Sequence, residues 1–383
     1  MKKRIKGFVY LILALFSLLY ISKYDYLLEA VSKIYLTGHV TAYLEDYKKF
    51  DNRVLPASTS PQPWPLHSSY NKISISSALE TYHQENETVA FLVIKEDSLI
   101  YENYYENFGP KTKSNSFSVV KSMISAMMGK AIEQGYIESL DQKVIDFLPE
   151  LKGPFANQVT VGDLSSMASG LKWSEKYYSP FSVTTAAYFV KDLGQVMLDQ
   201  PINKEPGKSF RYTSGTTQLL GMVITKATGK NLTAYFYESL WNSMGAEGEA
   251  LWQLDGNEKG LEKAYCCLAS NARDFARFGK LYKNYGKWNG NTILDSTFIA
   301  KSLKPRFAES PQYGYGWWLE NYNEQRVFMM RGHLGQYIIV LPKDDLIIVR
   351  LGHKKGKKIN GNPYTEDIYV YMQAALDITS DVP

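Results

Sequence analysis

The chain has 383 residues, 45% hydrophobic and 21% charged, with a formal charge of +4. Four of its cations, Lys2, Lys3, Arg4 and Lys6, crowd the N-terminus. The remainder is near neutral, which gives no electrostatic reason to expect a nucleic-acid partner. The five histidines (His39, His67, His83, His333, His353) are scattered. No H-E-x-x-H, Cys/His ligand spacing or glycine-rich phosphate cradle occurs, so no metal and no cofactor is expected.

In chain order, the basic start is followed by an uncharged apolar run at residues 8–21. Its length suits a signal-peptide core and is short for a membrane span. The nearest small-x-small cleavage site, Ala30-Val31-Ser32, lies behind Lys23, Asp25 and Glu29. The expectation is therefore an N-terminal membrane helix at 1–24, an uncleaved signal-anchor or else a signal peptide. It would put the rest of the chain on the exported side of the inner membrane of a bacterial cell envelope. Residues 25–72 read as a juxtamembrane segment and a Pro/Ser-rich linker around Pro56, Pro61, Pro63 and Pro65, an extended arm without a core of its own. The catalytic unit is expected over 73–383, long enough to form two lobes.

Within that unit the spacing predicts a helix at 77–83 and strands at 88–95 and 98–105. A mostly helical middle follows, then strands around Trp317, Val327, 336–341 and 346–351, and a helix at 364–376. Strands from both ends must join one antiparallel sheet flanked by helices, with the helical middle as the other lobe; the fold class is α+β.

Ser118 and Lys121 form an S-x-x-K ahead of Met123, Ile124, Ala126 and Met127, which recur near helical spacing. On a helix, i and i+3 share a face, so hydroxyl and amine can meet. Lysine can take the serine proton only if it is kept neutral, and an apolar helix can supply the desolvation. A second S-x-x-K, Ser69 and Lys72, sits beside the prolines and reads as a loop. Further on, Pro206-Gly207 turns into Tyr212, just before a helical pattern through Leu219, Leu220, Val223 and Ile224. A tyrosine near a Ser/Lys pair can relay a proton to a leaving group. Cys266 and Cys267 are adjacent; a bridge between neighbours would be strained, so both are expected as small buried hydrophobes. Last, Arg331-Gly332-His333-Leu334-Gly335-Gln336 leads into an apolar strand where glycine permits close approach of another backbone or a substrate.

Together these sites resemble the serine β-lactamase and penicillin-binding superfamily, whose motifs are S-x-x-K, Y-x-N and K-T-G. The chain is most similar to its class C-like branch of esterases, D-amino-acid peptidases and 6-aminohexanoate-oligomer hydrolases. Asp163-Leu164-Ser165-Ser166-Met167-Ala168-Ser169-Gly170-Leu171, Ala272-Arg273-Asp274-Phe275-Ala276-Arg277-Phe278-Gly279 and Tyr313-Gly314-Tyr315-Gly316-Trp317-Trp318 all look like stretches of that branch. The resemblance covers roughly residues 73–375 and implies a β-lactamase/transpeptidase-like fold with the site between the lobes. By it, Ser118 is the acylated nucleophile, Lys121 its base and Tyr212 the proton shuttle. The backbone N–H groups of Ser118 and Gln336, the latter after Gly335, would form the oxyanion hole. Ser214 stands where β-lactamases carry asparagine, and His333 where they carry a lysine that pairs with the substrate carboxylate. Tyr177 lies in a segment resembling one that bears an extra active-site tyrosine. It is read equally well as a loop aromatic.

The implied function is a serine hydrolase acting on a small-molecule amide or ester. Two alternatives remain, a β-lactamase or D-Ala-D-Ala carboxypeptidase, and a catalytically weak cell-wall ligand-binding protein of the same fold. Sequence leaves the oligomeric state unknown.

Overall fold

The computed structural model describes residues 2–257 and 259–380. Strands from the two ends of the catalytic unit meet in one six-stranded antiparallel sheet, in the order Ser98–Tyr104, Thr88–Lys95, Leu346–Gly352, Gln336–Leu341, Gln325–Gly332, Trp318–Tyr322. Its tight hairpins follow from local chemistry. Glu96 and Asp97 (φ 49° and 59°), and Asn323 and Glu324 (φ 46° and 57°), all take the left-handed backbone that two-residue turns between twisted strands require.

The central strands are largely apolar because both faces are covered. Leu92, Ile94, Ile338, Val340, Ile347 and Val349 join the core shared with the helical lobe. Phe91, Val93, Ile339, Leu341 and Ile348 face Tyr371, Met372 and Ala375 of the C-terminal helix Glu366–Ser380. On the lobe side the helix Ala272–Lys283 lies close against the sheet. A Cβ added to its Gly279 would come within 2.8 Å of Ile347. The helix Val120–Glu133, which follows Ser118, and the helix Ser214–Thr228 build the lobe itself, with Met123, Ile124, Met127, Leu219, Leu220 and Val223 buried between the layers.

The N-terminus differs from its expectation in two ways. A helix forms at Lys2–Ile21, but the expected membrane helix is not supported: among the described residues no helix is long and apolar enough to cross a membrane. Charged Lys2, Lys3, Arg4 and Lys6 occupy the first two turns, leaving about 21 Å of apolar helix against a hydrocarbon core of about 30 Å. The side chains of Tyr10, Leu13 and Leu18 on this helix are exposed.

The segment that composition assigns to an arm also packs onto the body. Asn52–Leu55 pairs antiparallel with Ala250–Gln253, extending a second sheet through Leu268–Ser270 to Ser114–Asn115. Leu44, Leu55 and Trp64 belong to the main core. Trp64 Nε1 donates to Arg273 O at 2.9 Å, Arg277 donates to Gln62 O at 2.8 Å, and Leu99 N donates to Pro65 O at 2.8 Å. The prolines set an extended backbone, and that backbone is held to the body along its length.

The strongest tie is Asp46, fully buried. Its carboxylate accepts from Tyr188 OH (2.6 Å), Asn115 Nδ2 (2.9 Å), Gln253 Nε2 (3.1 Å) and Tyr43 N (3.3 Å). Burial still holds this carboxyl above its usual range against those donors. Replacing it with alanine strands several buried donors, each worth about 1–3 kcal/mol when unpaired. We expect Asp46→Ala to destabilise the protein by about 3 kcal/mol, read as a fall in the urea midpoint.

Candidate active site

Ser118 sits in a tight turn, Phe117–Val119, that runs directly into the helix Val120–Glu133. The turn is locally strained: Phe117 has φ 43°, a conformation a bulky residue adopts only when its surroundings impose it. Asn115 imposes it. Its Oδ1 accepts from Phe117 N at 2.9 Å, while its Nδ2 donates to Asp46. The half-buried Ser118 hydroxyl is thereby aimed from the helix start into a cavity.

Lys121, one turn on, is buried. Its Nζ lies 2.9 Å from Ser118 Oγ and donates to Tyr265 O at 2.6 Å. It sits 5.3 Å from the Tyr212 ring and 5.7 Å from that of Tyr265. Burial pushes its pKa down to about 7, with the Glu175 carboxylate pulling the other way. The amine is therefore substantially unprotonated near neutral pH and able to accept the serine proton.

Tyr212 stands just before the helix Ser214–Thr228, and the nearby Ser118 hydroxyl partly offsets the effect of burial on its phenol. The loop leading to it is fixed by the glycine-containing stretch 163–171. Arg211 N donates to Met167 O, Gly207 N to Ala168 O, and Asn203 N to Gly170 O. Gly170 has φ 70°, and a Cβ there would lie 2.1 Å from Lys204 O, so only glycine fits. Burial raises the Tyr212 pKa, so the phenol keeps its proton and can donate it.

Across the cavity, Gly332 lets its strand approach the nucleophile turn; an added Cβ would lie 2.5 Å from Ser116 O. His333 stacks on Tyr177 (5.5 Å) and meets Phe117 edge-on (5.5 Å). Burial drives its pKa down to about 4, so it is neutral, and its buried Nε2 has no hydrogen-bond partner among the described residues. Ser118, Tyr177, Ser214 and His333 all line the one cavity. Gln336 and Gly335 are not part of that lining. The Gln336 side chain donates to Gly352 O at 2.7 Å and His333 O at 3.0 Å. Gly335 (φ 87°) hands its carbonyl to Arg350 at 2.9 Å.

Two features were missed in the sequence. Glu175 accepts from the backbone N and the Oγ of Ser214 and from Tyr177 OH. It thereby caps an orphan N–H at the start of the helix after Tyr212, and it occupies the Ser214 side chain. Only its neighbourhood to Tyr177 hinted at it. The second is a correction: Cys266 and Cys267 are joined by a disulfide and are not free. Cys267 has φ 76°, which turns two consecutive side chains toward each other where an extended backbone would send them apart. Cys266 lines the cavity, and Tyr265 before it holds Lys121.

The beta-lactamase family description matches residues 76–366. The chain belongs to that family. A 6-aminohexanoate-dimer hydrolase of Paenarthrobacter ureafaciens is 25% identical over 296 residues, covering 71% of this chain and 74% of that protein. Among solved structures, a candidate 6-aminohexanoate-dimer hydrolase from Bacillus anthracis superposes with a TM-score of 0.71 at 22% identity, over 88% of this chain and 92% of that one. EstCE1, a hydrolase with promiscuous acyltransferase activity, gives 0.60 at 16% identity, over 79% and 96%. These structures share the α+β fold, as the sequence resemblance implied.

We expect kcat/KM on a neutral substrate to rise with pH through an apparent pKa near 7, as Lys121 loses its proton. Because the Glu175 carboxylate favours the ammonium, Glu175→Gln should move that limb to lower pH, by roughly one unit. A pH–rate profile of both proteins checks the sign.

Proposed function

We propose that the chain is a serine hydrolase that cleaves an amide or an ester through an acyl-enzyme on Ser118. The observation that carries this reading is the 2.9 Å contact between Ser118 Oγ and a buried Lys121 amine whose pKa is about 7. In the proposed cycle Lys121 takes the hydroxyl proton as Oγ attacks the carbonyl carbon. Backbone N–H groups of Ser118 and Gln336 receive the oxyanion, and Tyr212 gives its proton to the departing nitrogen or oxygen. Water then repeats the attack on the acyl-enzyme, with the proton returning through Tyr212 and Lys121.

A β-lactamase or D-Ala-D-Ala carboxypeptidase is less well supported. Both must hold a carboxylate, and the neutral His333 offers no charge for it. Ser214 is taken up by Glu175. A pure ligand-binding role leaves the neutral Lys121 without a purpose. The relatives named as 6-aminohexanoate-dimer hydrolases favour a short amide. We propose further that the unit works on the exported side of a bacterial membrane; the basic start and the apolar residues 8–21 support this.

The test is intact mass after exposure to a fluorophosphonate, beside turnover of small esters and amides. One adduct is expected on the natural chain and none on Ser118→Ala, with turnover falling by about 10⁴-fold or more. Tyr212→Phe should keep the adduct and lose about 10²–10⁴-fold in turnover. A folded natural chain that takes no adduct would sink the proposal.

A further inference from the structure

The cavity in front of Ser118 has one wall that the family match does not include. Ile34, Tyr35, Val40, Thr41 and Ala42 line it together with Phe117, and all five precede residue 76, where the match begins. This wall is a built feature and not a loose end of the chain. Tyr26 OH donates to Pro180 O at 2.9 Å on one side, and on the other Leu44 O accepts from Asn115 N at 2.8 Å, next to the buried Asp46. Between these ties the segment folds on itself. Thr37 Oγ1 donates to Ile34 O at 2.6 Å, Gly38 turns with φ 86°, and His39 stacks on Tyr43 at 3.8 Å.

The wall decides both the size and the chemistry of what can sit there. The cavity measures about 70 Å³, room for roughly five water-sized atoms. None of its lining residues is a lysine, arginine, aspartate or glutamate. Its imidazole, His333, is neutral and carries an unpartnered Nε2 that can hydrogen-bond an uncharged polar group. A carboxylate entering this space would be desolvated and would find no cation in the lining, since Lys355, which acts on His333, stands outside it, whereas a few methylenes would find Ile34, Val40 and Phe117.

We propose that residues 34–42 form a specificity wall of the active site, which admits a short, linear, uncharged chain beside Ser118 and rejects long or carboxylate-bearing ones. This rests on the hydrolase reading above and adds the substrate class to it. Ala42 and Ile34 would act as size-determining residues, and neither touches the reacting atoms.

The experiment is a series of p-nitrophenyl esters, acetate through decanoate, with the hemisuccinate as the charged member, run on the full chain and two variants. Fluorophosphonate labelling of Ser118 runs alongside. The natural chain should prefer the short neutral esters over decanoate and over hemisuccinate by about tenfold or more in kcat/KM. Ala42→Phe, which fills the cavity, should move the optimum toward acetate. Ile34→Ala, which enlarges it, should move the optimum to longer chains, with the decanoate-to-acetate ratio rising about tenfold. Ile34 is buried, so if that variant fails to fold, Val40→Ala at an exposed position replaces it, with the same direction of change. A labelled Ser118 with superimposable chain-length profiles in all proteins, or a preference for hemisuccinate, would overturn the wall and leave the hydrolase reading standing. No label and no turnover in the folded natural chain would overturn the hydrolase reading, and the wall with it.

Discussion

Lys121 must be buried, and most of the molecule around the site serves that requirement. An ammonium in water keeps its proton to about pH 10.4 and cannot deprotonate a serine. Here the amine lies at the foot of a helix packed by Met123, Ile124 and Met127, beneath the rings of Tyr212 and Tyr265. Its pKa falls to about 7 as a result. The unfolded chain would hold that proton between pH 7 and 10 and the folded chain releases it. Folding therefore loses stability on this account as pH falls from 10 toward 7, on the order of 4 kcal/mol at neutrality. The cores on the two faces of the sheet must offset that loss.

The second buried charge, Asp46, connects the N-terminal segment to the same chemistry. Its carboxylate receives Asn115, and Asn115 in turn fixes the positive-φ Phe117 that aims Ser118. It also receives Tyr188, which lines the catalytic cavity. One carboxylate thus organises the approach to the nucleophile from one side and the cavity wall from another. A segment that looks peripheral in composition is structurally continuous with the site.

Electrostatics on the substrate side run toward neutrality. Where the K-T-G motif places a cation, this chain presents a histidine packed against Phe117, Tyr177 and Tyr178, and its burial, with Lys355 nearby, keeps it uncharged. The carboxylate of Glu175, which acts on Lys121, is engaged by Ser214 and Tyr177. It raises the basicity of Lys121 against the effect of burial, without opening a charged pocket.

The sequence by itself determined the main elements and the meeting of Ser118 with Lys121. Strands at Thr88–Lys95 and Gln336–Leu341 are legible because unbroken apolar runs between turn residues have few other solutions. Ser118 and Lys121 are legible because a spacing of three on a helix fixes which side chains meet. What only the tertiary structure decided are contacts between residues far apart in the chain. These are Asp46 with Tyr188, Glu175 with Ser214, and the gathering of Ile34, Val40 and Ala42 with Phe117 and His333 around one cavity. Such pairs leave no period in the sequence, since each partner alone reads as an ordinary loop or linker residue. The disulfide at Cys266–Cys267 belongs with them, because the left-handed turn that permits it is imposed by the surrounding fold. The apolar run at 8–21 shows the opposite limit: its composition favoured a helix, and a helix formed at Lys2–Ile21, but composition could not lengthen its apolar part to the width of a bilayer.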